Sequence, residues 1–427
     1  IPVAGVNVGQ LEAFNDIQES AQGGQGGVGY LELFDLFAGG ALSRFSIMSL
    51  GIMPYISASI ILNLLQIAVP SLEKLAKEGG AYGKRKIQQY TRYLTIGLCI
   101  LQSISFLVIF NTYYIQPAAE GITDADGVIH TFQIVQNFDI WFWAIFILST
   151  TAGTMFVLWM GEQISDRGIG NGVSLVIFAN IIARIPGAVT ELAVNPEQDP
   201  ITLMIVVVIF FIIIGLVTAE NQATRNIPVK YGKHMVAGRM YKVSANHIPF
   251  KLTPAGVIPI IFASAIVMFP QQIVGMFGAG VSWLENIANA LRPGNLAYNI
   301  LYFLLVMALS YFYTQMYFNP AELADNIKRQ GGFIPGIRAG QNTANYLSKV
   351  LNRITLPGSI FLGLVAIAPN IIGKIFGLPA SFSLLMGGTS LLIMVGVALD
   401  TVKQIESHLL MRHYSGFLKK GKIKGRR

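Results

Sequence analysis

The chain has 427 residues, of which 53% are hydrophobic and 12% charged, with a formal net charge of +8 and a mean hydropathy of +0.56. Soluble proteins carry roughly 25% charged residues, so the composition excludes an ordinary soluble enzyme and fits a polytopic membrane protein, whose spans need about 20 apolar residues each. The single cysteine, Cys99, excludes an internal disulfide framework or a cysteine metal cluster, and the five histidines form no ligand pair.

Residues 1–40 hold no Lys or Arg but carry Glu12, Asp16, Glu19, Glu32 and Asp35. Within them AQGGQGGVG (21–29) reads as a flexible external loop, too short and too poor in lysine for nucleotide binding. Nine continuous apolar runs follow, near 50–69, 93–113, 140–161, 172–191, 201–219, 254–278, 297–317, 354–373 and 382–402. Continuous runs favour helices over the short alternating strands of a barrel. The connections alternate in charge. Segment 70–92 holds Lys74, Lys77, Lys84, Arg85, Lys86 and Arg92, whereas 114–139 is acidic. Segment 220–253 is basic again, and the tail 403–427 carries eight Lys and Arg residues. By the positive-inside rule the basic connections and the C-terminus are cytoplasmic. Nine spans then place Ile1 outside, and the abrupt opening IPVAGVN suggests that a first span precedes it.

Two spans echo each other. MPYISASI (53–60) and IPIIFASAI (258–266) both read Pro, any residue, Ile, any residue, Ala, Ser. Proline-marked apolar segments in corresponding halves suggest an internal repeat around a central pathway; coincidence among common membrane residues is the bland alternative. Pro54 and Pro259 are expected to bend their helices near the ends. Ile56 and Ile60 share one helix face, which Ile261 joins if the halves meet at a centre. Ionisable residues are expected only near span ends, at Glu162, Arg184, Lys374 and Asp400, which argues against an ion-coupled transporter. No phosphate-binding loop, HExxH or Ser-His-Asp spacing is present.

Longer stretches go beyond pattern. GGALSRFSIMSLGIMPYISASIILNLL (39–65), RKIQQYTRYLTI (85–96), GTMFVLWMGEQISDRGIGNGVS (153–174), GVIPIIFASAIV (256–267), NPAELADNIKRQGGFIPGIRAGQNTANYL (319–347) and the segment 387–427 resemble, in order, segments of the SecY family. The resemblance implies an all-α bundle of ten spans in two pseudo-symmetric halves around an hourglass pore, with this chain supplying spans two to ten. Residues 1–191 would form the N-terminal half, 192–402 the C-terminal half and 403–427 a basic cytoplasmic tail.

The implied function is conduction of unfolded secretory polypeptide across the membrane and lateral release of apolar segments into lipid, with no covalent chemistry and no cofactor. By position the pore ring would be Ile56, Ile60, Val173, Ile177, Ile261 and Ile393. A collar of branched aliphatics closes around a chain without hydrogen-bonding it and resists wetting when narrow. The plug would be 34–48, with Phe34, Gly39, Gly40, Leu42, Arg44, Phe45 and Met48, a short amphipathic run whose glycines free the backbone. Gln66, Gln102 and Thr253 would lie near the lateral gate, although the family often has Asn where Thr253 stands. Arg225, Lys230, Lys233 and Arg239, with Arg338 in PGIRAG, would face the ribosome and its RNA or the SecA motor. Expected partners are SecE-like and SecG-like subunits, SecA, the ribosome, signal sequences with their nascent chains, and membrane lipids. The expected home is a bacterial inner membrane, with a thylakoid membrane as the other candidate. Taken without the resemblance, ring residues read as buried packing, the plug as an outer surface helix, and the basic loops as orientation signals or contacts with anionic lipid. Three rivals remain: a small-solute secondary transporter, an intramembrane enzyme such as a protease, and an insertase that never conducts secreted chains.

Overall fold

The computed structural model describes residues 1–21, 34–35, 37–116, 118, 122–123, 129–135, 138–168, 170–194, 200–231, 235–236, 239–240, 246–254, 256–277, 290–291, 295–377, 382–383 and 387–420. The glycine-rich stretch after Ala21 lies outside them, as does Lys233. The helices are α1 (Val8–Ala21), α2 (Met53–Ala68), α3 (Pro70–Glu78), α4 (Gly80–Phe110), α5 (Ile140–Arg167), α6 (Gly172–Val194), α7 (Pro200–Gln222), α8 (Ile258–Phe277), α9 (Leu296–Tyr317), α10 (Pro320–Arg329), α11 (Gln341–Phe376) and α12 (Gly388–Lys420). Among the described residues seven helices are long and apolar enough to cross a bilayer, or eight if the bent pair α2–α3 is one span.

Together with the pair α2–α3 and with α8, these helices stand where the nine apolar runs lie. The run at 50–69 forms a helix of only 16 residues, about 24 Å long, that turns by 105° into α3. Pro70 stands in the first turn of α3, where no amide donor is needed. The run at 254–278 gives the 20-residue α8. The expected bends at Pro54 and Pro259 are absent for the same reason: both prolines occupy the first turn of their helices, α2 and α8. After each, the matching residues turn inward. Ile56 and Ala58 are buried in α2, and Ile261 and Ala263 in α8.

Two sets of helices emerge from the contacts. α2, α4, α5 and α6 pack in succession, as do α8, α9, α11 and α12, with α7 against α11 and α12. The sets touch where α8 meets α2 and α4, and where α12 meets α6. Polar pairs fasten α4 to α5. The Arg92 Nε and Nη2 donate to Glu162 at 2.9 and 2.8 Å, and the Ser103 and Thr150 hydroxyls lie 2.9 Å apart.

The basic connections fold together. Strand β3 (Thr224–Tyr231) pairs antiparallel with β6 (Asn246–Lys251) and with β7 (Gly332–Phe333), setting Lys230 opposite Phe333. Short strands β1 (Ile122–Thr123) and β2 (Ile129–His130) pair elsewhere, as do β4 (Met235–Val236) and β5 (Arg239–Met240). Ile227, Val229 and Phe250 bury against Ala324, Ile327, Leu347 and Leu351 from α10 and α11. At 36 residues, about 54 Å, α11 is longer than a hydrocarbon core of ~30 Å, so its first turns belong to this basic subdomain.

Opposite this end, the acidic N-terminal segment forms a helix that its composition does not announce. Leu11 and Phe14 of α1 are buried. The residues before it run beside 45–47, with Val3 N–H donating to the Phe45 carbonyl at 2.8 Å and Ile47 N–H to Ile1 at 2.9 Å.

Candidate functional site

The six expected ring positions come from four helices. Ile56 and Ile60 stand one turn apart on α2, Val173 and Ile177 one turn apart on α6, Ile261 on α8 and Ile393 on α12. The structure brings them into one apolar cluster, where Val173 packs at the edge and the other five are buried, from Ile393 at 0% exposed to Ile261 at 7%. The same cluster holds Phe34, Leu42 and Phe45 from the expected plug.

The segment 34–48 differs from the expected helical run. It is helical only in short pieces before Gly39 and then proceeds by turns to Ile52. Gly39 and Gly40 take φ of +69° and +79°, a left-handed backbone that a side chain disfavours, and this ends the helical piece. Phe45 adopts a positive φ of 47° without being glycine, its amide bonded to the Leu42 carbonyl at 3.0 Å. Its ring stacks on Phe110 with centroids 3.6 Å apart. Arg44 and Met48 are exposed.

Three residues outside the expected set hold the segment down. Asp35 is buried, and its Oδ1 accepts from the Leu42 and Ser43 amides at 2.8 and 3.1 Å. Its Oδ2 meets Arg184 Nη2 of α6 at 2.6 Å. One turn before, Asn180 Nδ2 donates to the Phe37 carbonyl at 2.8 Å. Beneath the turns Gly153 of α5 touches Ile47: a Cβ at Gly153 would stand 2.1 Å from the Ile47 carbonyl oxygen. Arg184 is thus no end charge. It lies inside the 23-residue α6, tolerated because a carboxylate reaches it from the turn segment. Two charges of opposite sign in apolar surroundings were the available sequence signal, but 149 residues separate them.

No hydrogen bond joins the three expected gate residues to one another among the described residues. Gln66 Nε2 bonds to Asn63 of its own helix at 3.5 Å. Gln102 of α4 is buried, and its Oε1 has no hydrogen-bond partner among the described residues. Thr253 lies against α11, where a Cβ at Gly358 would stand 3.1 Å from its Cγ2. Along the expected seam α8 packs directly on α2 and α4. Among the docking positions Arg225, Lys230 and Arg338 are exposed. Arg338 stands in the turn between β7 and α11, flanked by Gly336 and Gly340 at φ of +83° and +103°, and its carbonyl accepts from Thr343 at 3.0 Å. Arg239 belongs to β5, and its side chain lies outside the described residues. No cluster of three or more His, Cys, Asp or Glu residues that could hold a metal occurs among the described residues.

Comparison with known proteins matches residues 46–402 to the SecY family model. The protein translocase subunit SecY of Streptomyces coelicolor is 44% identical over 425 residues, covering 98% of this chain and 92% of that protein. A solved protein-conducting channel superposes with a TM-score of 0.61 at 18% identity, covering 100% of this chain and 98% of its own. Sec61 in the canine ribosome-channel complex from the endoplasmic reticulum gives 0.57 at 17% identity, covering 100% and 98%. At such identities the two structures speak for the fold.

Proposed function

The chain belongs to the SecY family, and from that premise we propose how this bundle carries out the family's work. It is a multi-pass integral membrane protein and a protein-conducting translocon subunit. Ile56, Ile60, Val173, Ile177, Ile261 and Ile393 form the constriction, and residues 34–48 are the stopper above it. The observation that carries this reading is the single apolar cluster that contains five ring residues from four helices together with Phe34, Leu42 and Phe45, with Val173 packed on its edge. Branched aliphatic side chains give a passing polypeptide no hydrogen-bond partner, and a narrow apolar collar dewets when the chain has left.

The two contact lines between the helix sets suggest how the pore opens. The α6–α12 line serves as hinge and the α8 line with α2 and α4 as lateral gate, so that a signal sequence, itself an apolar helix, competes for contacts of its own kind. The halves are then 1–191 and 192–402 of a ten-span, two-half architecture. The basic end is cytoplasmic, with the C-terminus, in a bacterial inner membrane. There the β3–β6–β7 subdomain presents Arg225, Lys230 and Arg338, with Lys233 and Arg239 nearby in sequence, to the ribosome or to a SecA-type motor. A SecE-like helix clamps the two halves and a SecG-like subunit attaches. Direction comes from these partners.

The test is reconstitution of the chain with a SecE-like partner and SecA in proteoliposomes, following ATP-dependent protease protection of a secretory precursor. Protection that needs ATP is the expected result. Its absence, with the protein folded and the partner bound, overturns conduction and leaves an insertase without translocation.

A further inference from the structure

The cleft between α9 and α11, at the basic end of the bundle and away from the ring, is lined by side chains that neither the pore nor the gate uses. It has a volume of about 600 Å³ and is walled by Tyr311 of α9 and by Ser348, Lys349, Asn352, Arg353 and Leu356 of α11. Lys349 and Arg353 are four residues apart and share a helix face. Both are exposed, and neither has an ion-pair partner among the described residues.

The exposed face of α11 changes character within one turn. Up to Arg353 it is polar and cationic; from Leu356, 49% exposed, to Leu364, 53% exposed, it is apolar. The opposite face, with Leu347, Val350, Leu351 and Ile354, is buried in the basic subdomain, so the exposed stripe is left over after packing. α9 shows the same change in reverse chain direction. Ile300 and Leu304 are exposed apolar residues, and Tyr311 lies two turns further toward the basic end. A cationic strip ending on an apolar one, with a tyrosine beside the junction, is the pattern of a bilayer interface.

We propose that this cleft binds the headgroup of an anionic phospholipid. The phosphate lies between the Lys349 ammonium and the Arg353 guanidinium, Tyr311 and Asn352 supply neutral donors, and an acyl chain runs down over Leu356 toward Leu364. A soluble anion would use the cations but not the apolar strip; a phospholipid uses both. The inference rests on the chain's lying in a membrane and is independent of the pore assignment.

Delipidated protein, purified with its SecE-like partner, is titrated with phosphatidylglycerol in detergent and bound lipids are counted by native mass spectrometry. Phosphatidylcholine serves as the neutral comparison. K349Q/R353Q is expected to weaken one phosphatidylglycerol site roughly 25-fold, from about fivefold per cation. K328Q/R329Q, an exposed basic pair on α10, leaves that site unchanged, and an unaltered melting temperature of each variant confirms folding. Equal phosphatidylglycerol binding by K349Q/R353Q and the parent overturns the proposal. So does complete competition by millimolar inorganic phosphate, which assigns the cleft to a free anion. Loss of poly(U) RNA binding with phosphatidylglycerol binding retained assigns it to RNA and equally overturns the lipid.

Discussion

Asp35 and Arg184 form an ion pair of 2.6 Å between the turn segment proposed as the stopper and the helix α6, which carries Val173 and Ile177. One carboxylate also accepts the Leu42 and Ser43 amides, so it shapes the segment and tethers it at once. Arg184→Ala leaves Asp35, 8% exposed, without its cation. Losing one partner of a fully buried pair costs about 3–5 kcal/mol, and the 33% exposure of Arg184 lowers this to roughly 2 kcal/mol. Planar-bilayer recordings should then show more frequent openings without a precursor, and Asp35→Arg/Arg184→Asp should close the channel again in part. Equal leak from parent and variant would deny the pair a role in holding the stopper.

Gly153→Ala places a methyl group 2.1 Å from the Ile47 carbonyl oxygen, a distance at which backbone must move. Displacement of the 39–52 turns and ion leak are expected, with overpacking costing about 1–3 kcal/mol. Gly97→Ala is the comparison, since nothing lies within 4 Å of a Cβ there. The readouts are bilayer conductance and melting temperature.

Ile393 is fully buried in the cluster where four helices converge. Ile393→Val should cost about 1 kcal/mol and keep the seal, whereas Ile393→Ala should cost about 2–5 kcal/mol by cavity formation. The distinguishing measurement is permeability. A ring residue loosens the seal to small ions during translocation, while a residue that merely packs lowers the melting temperature and leaves conductance per open channel unchanged.

Gln102 is buried beside the expected gate with Oε1 unpartnered among the described residues. Gln102→Leu removes that orphan acceptor and should raise stability by about 1 kcal/mol. Precursors with weakly apolar signal sequences should then translocate more slowly, because the closed seam has gained. A faster rate would place Gln102 outside the gate.

Arg338 is exposed in a glycine-flanked turn, so Arg338→Glu should leave the melting temperature within about 0.5 kcal/mol equivalent of the parent. SecA-driven precursor protection should fall, more steeply at low salt. Undiminished protection would remove Arg338 from the docking surface.

Hydropathy and charge carried much of this protein in linear form. Apolar runs of sufficient length must find lipid or a core, and alternate basic connections orient them, so a helical membrane bundle follows from the order of residues alone. The echo of Pro54-x-Ile56-x-Ala58 in Pro259-x-Ile261-x-Ala263 was visible too, because side-chain periodicity is local. What the two prolines do was not visible: a proline bends a helix from within but starts one from its first turn, and the position of that turn depends on neighbours. Nor could the chain order reveal that Asp35 meets Arg184, that Gly153 lies under Ile47, or that Thr253 stands by Gly358. Each is a contact between segments far apart in sequence. In a low-dielectric bundle such contacts are decided by which faces remain after the apolar ones have packed, and only the tertiary structure fixes those faces.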